Sequence, residues 1–220
     1  SKDKKYKKAK IIYCPPYTLL DKFFKITKNS KIEIGAQNCH HYQNPGPFTG
    51  SVNVDLIKSI GAKYVIIGHS ENRSSGDTNH NINLKIKSAL KKKLKVIFCI
   101  GETLKEKRKN KTNSVLNSQI IRGLKNIKKN NNIIFAYEPV WSIGTGLVPK
   151  NKDLKIQINV IKKILSKFWR LNNPKIIYGG SVNPKNINDL RKISSIKGFL
   201  VGGASQKAKN FIDIIKKTIN

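Results

Sequence analysis

Short runs of β-branched and aromatic residues recur along the 220-residue chain, and their spacing restricts the fold more than any other feature. The runs are Ile11–Cys14, Ile32–Ile34, Tyr64–Ile67, Val96–Ile100, Ile133–Tyr137, Ile176–Tyr178 and Gly198–Val201, seven candidate strands. Most are apolar throughout rather than alternating, as a strand covered on both faces requires. They start about 20–45 residues apart, which leaves room for a crossover helix between parallel neighbours. The intervening segments have helical periodicity: Leu154, Ile158, Ile161, Leu165 and Phe168 share one face, Ile82, Ile86 and Leu90 another, and lysines fill the rest. Asn183-Pro184 reads as an N-cap with proline at the first helical position, starting a helix there. With no interior linker, this order predicts one parallel α/β domain over residues 1–220, either doubly wound or closed into a barrel.

The charge raises a different possibility. Lys and Arg number 44 against 12 Asp and Glu, a formal charge of +32. Clustered cations release counterions from phosphate backbones, so a basic nucleic-acid-binding protein is the alternative function. The distribution argues against it: 39 of the 44 are lysines, spread over nearly every polar segment, with no Arg-rich block and no interleaved aromatics. Together with 24 Asn and 32 Ile they are the residues favoured by AT-rich codons, a source of basicity that needs no ligand. No apolar run approaches the roughly 20 residues of a membrane helix, and Ser1–Lys10 has no apolar stretch of the kind a secretory signal needs. Cys14, Cys39 and Cys99 are widely spaced and lie in or beside apolar runs, as reduced thiols of a cytoplasmic protein would, rather than as a disulfide or metal set.

Scarce residues collect at strand ends. Only five Glu occur, and Glu71, Glu102 and Glu138 all follow the C-terminal ends of candidate strands, where parallel α/β folds build their sites; all three are expected to face the site. Gly68, Gly101, Gly144, Gly146, Gly179, Gly180, Gly202 and Gly203 gather there too, each of which, taken singly, reads as a turn residue. Gly202-Gly203 precedes an apolar-periodic segment, and paired glycines let backbone N–H groups at a helix start approach an anion. With Gly179-Gly180-Ser181 one strand earlier, they are either a phosphate site or structural turns. His69, ahead of Ser70-Glu71-Asn72-Arg73, is either a core histidine or a catalytic one. The loop after Glu138-Pro139 carries Trp141, Gly144 and Gly146, the makings of a hinged lid or of an ordinary packed loop.

These motifs resemble the triosephosphate isomerase family from Ile11 to Ile215. The resemblance runs through Cys14-Pro15-Pro16-Tyr17, Gly35-Ala36-Gln37-Asn38, Phe48-Thr49-Gly50, Ile67–Glu71, Cys99–Glu102, Tyr137–Gly146, Tyr178–Ser181 and Gly198–Ser205, with Glu138–Gly146 the most specific. It implies a (β/α)8 TIM barrel, a cytoplasmic homodimer, and interconversion of dihydroxyacetone phosphate and glyceraldehyde 3-phosphate in glycolysis and gluconeogenesis, with no metal or organic cofactor. Carried over by motif, Glu138 is the base and His69, neutral at a helix N-terminus, polarises the carbonyl. Gly144, Ser181, Gly202 and Gly203 would bind the substrate phosphate, Val140 to Thr145 would close over it, and residues 37–50 would form the dimer loop with Thr49 near its tip. Another phosphate-binding barrel, such as an aldolase, would need a strand-end lysine for a Schiff base, and no strand end here provides one.

Some departures qualify the resemblance. The family begins with a strand ending in Asn-x-Lys and a first helix; neither is found here, and no catalytic lysine is assigned among Lys2, Lys4, Lys5, Lys7, Lys8 and Lys10. A barrel without its first strand and helix would expose two strand edges, so the sequence is expected to be a fragment of a complete isomerase. Asn72 replaces a second Arg and is expected to weaken an ion-pair network beside Glu71; Ser51, Asp77 and Gln206 are further departures, expected to affect stability and dimer packing rather than reaction type.

Overall fold

The computed structural model describes residues 9–42, 44 and 46–219. The expectations for Lys2 to Lys8 and for positions 43 and 45 of the 37–50 loop lie outside them. The described residues divide into two compact units, one of Lys10–Cys99 with Ile121–Ile134, the other of Ile100–Ile120 with residues 135–219 and Ala9.

In the first unit β1 (Ile12–Tyr13), β2 (Glu33–Ala36), β3 (Tyr64–Ile67) and all but the last residue of β4 (Lys95–Ile100) follow one another as parallel neighbours. Ile12 stands opposite Glu33, Gly35 opposite Tyr64, and Tyr64 opposite Lys95. All four residues of β3 and the last five of β4 are buried, as their uninterrupted apolar character demands. Helices α1 (Leu20–Thr27), α2 (Val54–Ser59), α3 (Ser70–Ser74) and α4 (Asn79–Lys91) fall between the strands. Asn53 and Thr78 start α2 and α4 by accepting backbone N–H groups of Leu56 and Asn81. The buried stripe of α4 is Ile82, Ile86 and Ala89, not Leu90, which is only half-buried. At 100° per residue the i+7 position lies closer to the stripe than i+8. Lysines do not fill every other face either: Lys85 is buried and pairs with Asp77 at 2.6 Å, its Nζ also donating to Asn38 Oδ1 at 3.0 Å.

The second unit holds β6 (Lys175–Tyr178), most of β5 (Ile133–Tyr137), α5 (Leu104–Arg108), most of α6 (Thr112–Gly123), α7 (Asn151–Trp169), α8 (Ile187–Leu190) and α9 (Ala208–Ile219). Helix α7 buries Leu154, Ile158, Ile161, Leu165 and Trp169, at about 2 kcal/mol per large apolar side chain. Trp169, not the anticipated Phe168, completes the stripe; it meets Phe135 edge-on at 6.2 Å while Phe168 is exposed. The seventh candidate strand appears as one parallel bridge, Tyr178 to Phe199, flanked by hydrogen bonds from Tyr178 N to Gly198 O and from Leu200 N to Tyr178 O. Glycines at 198 and 202 bracket it and keep the extended stretch short. The helix expected at Asn183-Pro184 starts later, at Ile187. Asn183 caps a turn instead, its Oδ1 accepting from the N–H groups of Lys185 and Asn186.

Candidate active site

In the first unit β3 delivers His69. Gly68 turns the chain at φ +78°, and Arg73 holds that turn by donating to Gly68 O at 2.8 Å, Cys99 O at 3.2 Å and Asn79 Oδ1 at 2.8 Å. His69 is the N-cap of α3, and its Nδ1 accepts the backbone N–H of Glu71 at 3.3 Å. A ring nitrogen that accepts carries no hydrogen, so this bond puts the ring hydrogen on Nε2. Glu71 is not enclosed as Glu102 and Glu138 are: its side chain is 84% exposed, with an oxygen 3.8 Å from His69 Nδ1. Asn72 replaces the expected arginine with a neutral contact, its Oδ1 accepting from Asn38 Nδ2 at 3.1 Å.

In the second unit the end of β5 delivers Glu138, which is 2% exposed. Its backbone N–H donates to Ile100 O at 2.8 Å, and Gly179 N donates to Tyr137 O at 2.9 Å, so both neighbouring strand ends pin this residue. Two glycines make the room. A Cβ at Gly101 would collide with the backbone carbonyl of Glu138, and one at Gly179 would lie 2.8 Å from Glu138 Cγ and 3.2 Å from its Oε1. The lid candidate begins at once, with a single 3-10 turn at Val140–Ser142.

Glu102, at the end of β4, anchors that turn. Its buried carboxylate accepts from Trp141 Nε1 at 2.9 Å and from the Tyr137 hydroxyl at 3.2 Å. Burial pushes its acidity weaker than an ordinary carboxylate's, with those two bonds and Lys107 pulling the other way. Lys107 on α5 stands 3.4 Å from the centre of the Trp141 ring. Position at a strand end signalled Glu102, but nothing in the sequence signalled that it would hold the lid tryptophan.

The phosphate candidates divide. Ser181 N donates to Ser142 Oγ at 3.3 Å. Gly144 has φ +69°, which a turn requires, whereas Gly202 and Gly203 lead into the 3-10 helix Gly203–Gln206 without positive φ. A Cβ at any of the three would meet nothing within 4 Å, so no neighbouring group of the protein excludes a side chain there. Among the described residues no three His, Cys, Asp or Glu come together as a metal site would need, and no helix is long and apolar enough to cross a membrane.

Residues 1–218 match the family model described as triosephosphate isomerase. The triosephosphate isomerases of Dictyoglomus thermophilum and Dictyoglomus turgidum are 42% and 41% identical over 97% of this chain and 88% of their own length. The crystal structure of triosephosphate isomerase from Bartonella henselae matches with a TM-score of 0.86 at 34% identity, covering 95% of this chain and 86% of that one. A family-wide match of this extent carries both fold and reaction class: the chain belongs to the triosephosphate isomerase family, an isomerase on the TIM-barrel fold.

Proposed function

We propose that Glu138 and His69 carry out the interconversion of dihydroxyacetone phosphate and D-glyceraldehyde 3-phosphate in a single barrel domain. The observation that carries this reading is the Glu138 carboxylate, buried at a strand end in the space that the missing side chain of Gly179 leaves to it and followed directly by the loop after Pro139. A carbon acid beside a carbonyl is weak, so its base must be held in contact, in a site that excludes water, while a donor stabilises charge on oxygen. Glu138 takes the proton from the hydroxyl-bearing carbon beside the carbonyl and returns it to the carbon that carried the carbonyl oxygen. His69 Nε2–H donates to the carbonyl oxygen and moves protons between the two oxygens of the enediolate; the backbone bond at Nδ1 fixes the tautomer for this. The two trioses have the same composition and oxidation level overall, so proton transfer alone balances the reaction and no electron carrier enters.

The N–H groups of Gly144, Ser181, Gly202 and Gly203 hold the phosphate dianion, and Val140 to Thr145 close over it, excluding water from the enediolate. Open space at Gly202 and Gly203 supports this, since neighbouring packing does not account for glycine there. The loop 37–50, where Tyr42 stacks on Phe48 at 4.2 Å and lies half exposed, supports a homodimer formed through it. A cytoplasmic location and a place in glycolysis and gluconeogenesis accompany this reading.

The test is a coupled isomerase assay run in both directions on the 220-residue chain, on a version extended by the family's first strand and helix, and on the Glu138→Gln variant of each. The expected result is a loss of kcat of about 10³-fold with the circular dichroism spectrum unchanged. A Gln variant that keeps its rate overturns the assignment.

A further inference from the structure

The hydroxyl of Ser142 makes more connections than any other side chain of the lid segment. Ser142 is fully buried; its Oγ donates to Leu147 O at 2.5 Å, lies 2.9 Å from the Tyr178 hydroxyl, and accepts the Ser181 N–H at 3.3 Å. A hydroxyl has one hydrogen and two lone pairs. Leu147 O can only accept and Ser181 N–H can only donate, so the Tyr178 hydroxyl must donate to Ser142. Every hydrogen-bonding position of Ser142 is then used. Burial pushes the Tyr178 phenol up to about 12, which keeps that donor hydrogen in place at neutral pH. The backbone is shaped around the pair: a Cβ at Gly180 would collide with the Tyr178 hydroxyl and lie 2.7 Å from Ser142 Oγ.

We infer that Ser142 is a positioning residue for the isomerase reaction, its hydroxyl tying the two ends of the 142–147 loop together and holding that base to the backbone N–H that receives the substrate phosphate. This rests on the reading of Ser181 N–H as a phosphate donor. Ser142→Leu147 closes the loop on itself, with Thr145 Oγ1 donating to Trp141 O at 3.0 Å and accepting from Leu147 N at 3.2 Å inside it. Tyr178→Ser142 fastens the closed loop to the end of β6. Ser181→Ser142 is the longest of the three and therefore the one a phosphate dianion displaces, since a charged acceptor binds an N–H more strongly than a hydroxyl does. Phosphate arrival thus changes the partner of Ser181 while the other two bonds keep the lid base in register with the grip.

A positioning role of this kind acts only through the phosphate end of the substrate, because binding energy at a remote group is spent on orienting the reacting centre. Ser142→Ala is therefore assayed with glyceraldehyde 3-phosphate and with unphosphorylated glyceraldehyde. The expected result is a fall in kcat/KM of about tenfold or more for the phosphorylated substrate, and a change below twofold for the unphosphorylated one. Equal losses on both substrates, or no loss on either, overturn the proposal. If Ser142→Ala does not fold, Tyr178→Phe, which removes one donor and keeps the serine, is read by the same two ratios. A parent without isomerase activity on either substrate, both as the 220-residue chain and when extended by the family's first strand and helix, overturns the underlying functional reading, and this proposal with it; the two failures are distinguishable because only the second appears before any substitution is made.

Discussion

Two groups of glycines stand at the strand ends of the second unit and differ in what fixes them. Gly101, Gly179 and Gly180 are packed: backbone or side-chain atoms already occupy the space a Cβ would take, and those atoms belong to Glu138, Tyr178 and Ser142. Gly144, Gly202 and Gly203 are open, with nothing within 4 Å of a hypothetical Cβ. The first group is needed so that Glu138, Tyr178 and Ser142 can take up the places they hold. The second meets no group of the protein, and it is on these three that the proposed phosphate grip falls. Glycine at a strand end is thus one signal with two causes, and only the neighbouring atoms separate them.

The largest effect that tests this contrast is at Gly101. Ala there must displace the Glu138 carbonyl, backbone with no free rotation to give, and should cost at least about 3 kcal/mol, or roughly 6–12 °C of melting temperature. A thermal melt within 2 °C of the parent would remove the packed group as a category. Next is Gly203→Ala, which should leave the melt unchanged and raise KM for the triose phosphate about tenfold, near 1.4 kcal/mol of binding. A lowered melting temperature with unchanged KM would show that the open group is structural after all.

A smaller effect sharpens the contrast one residue beyond Gly101. Burial raises the Glu102 pKa in the folded chain, so between its ordinary value and the raised one the folded state holds a proton the unfolded state has lost. Stability contributed by this group therefore declines as pH rises through that window. Trp141→Phe removes the indole bond that favours the charged form, so it should cost about 1–2 kcal/mol and steepen that decline. Melts from pH 4 to 8 with parallel slopes would contradict it. The smallest expected signal is a lack of reaction: burial pushes Cys14 and Cys39 up to about 12 and Cys99 is buried, so a thiol reagent at pH 8 should label no cysteine until denaturant is added.

The strands were legible because an apolar run buried on both faces has few other uses, and the two catalytic candidates because acids are scarce and the motif around Glu138 is specific. Chain position alone was a weaker guide. It grouped Glu71 with Glu102 and Glu138, although the direction of a side chain at a helix start depends on the turn, and Glu71 points to solvent. Periodicity could not choose between Phe168 and Trp169, which lie three and four residues after Leu165 and are both permitted by a 3.6-residue repeat. Lys85 and Ser142 escaped for a different reason. Asp77 is eight residues from Lys85, while the partners of Ser142 at Tyr178 and Ser181 are 36 and 39 residues away, so only the fold reveals what these polar side chains serve.

The two tryptophans, finally, make the chain its own spectrometer. Trp141 sits on the proposed lid with its indole N–H on a carboxylate and a lysine cation against its ring, whereas Trp169 lies in the core edge-on to Phe135. The first should change emission when the lid moves and the second only when α7 leaves its packing. With Trp169→Phe the remaining fluorescence reports lid motion, and with Trp141→Phe it reports unfolding, so the two rates can be resolved without a label.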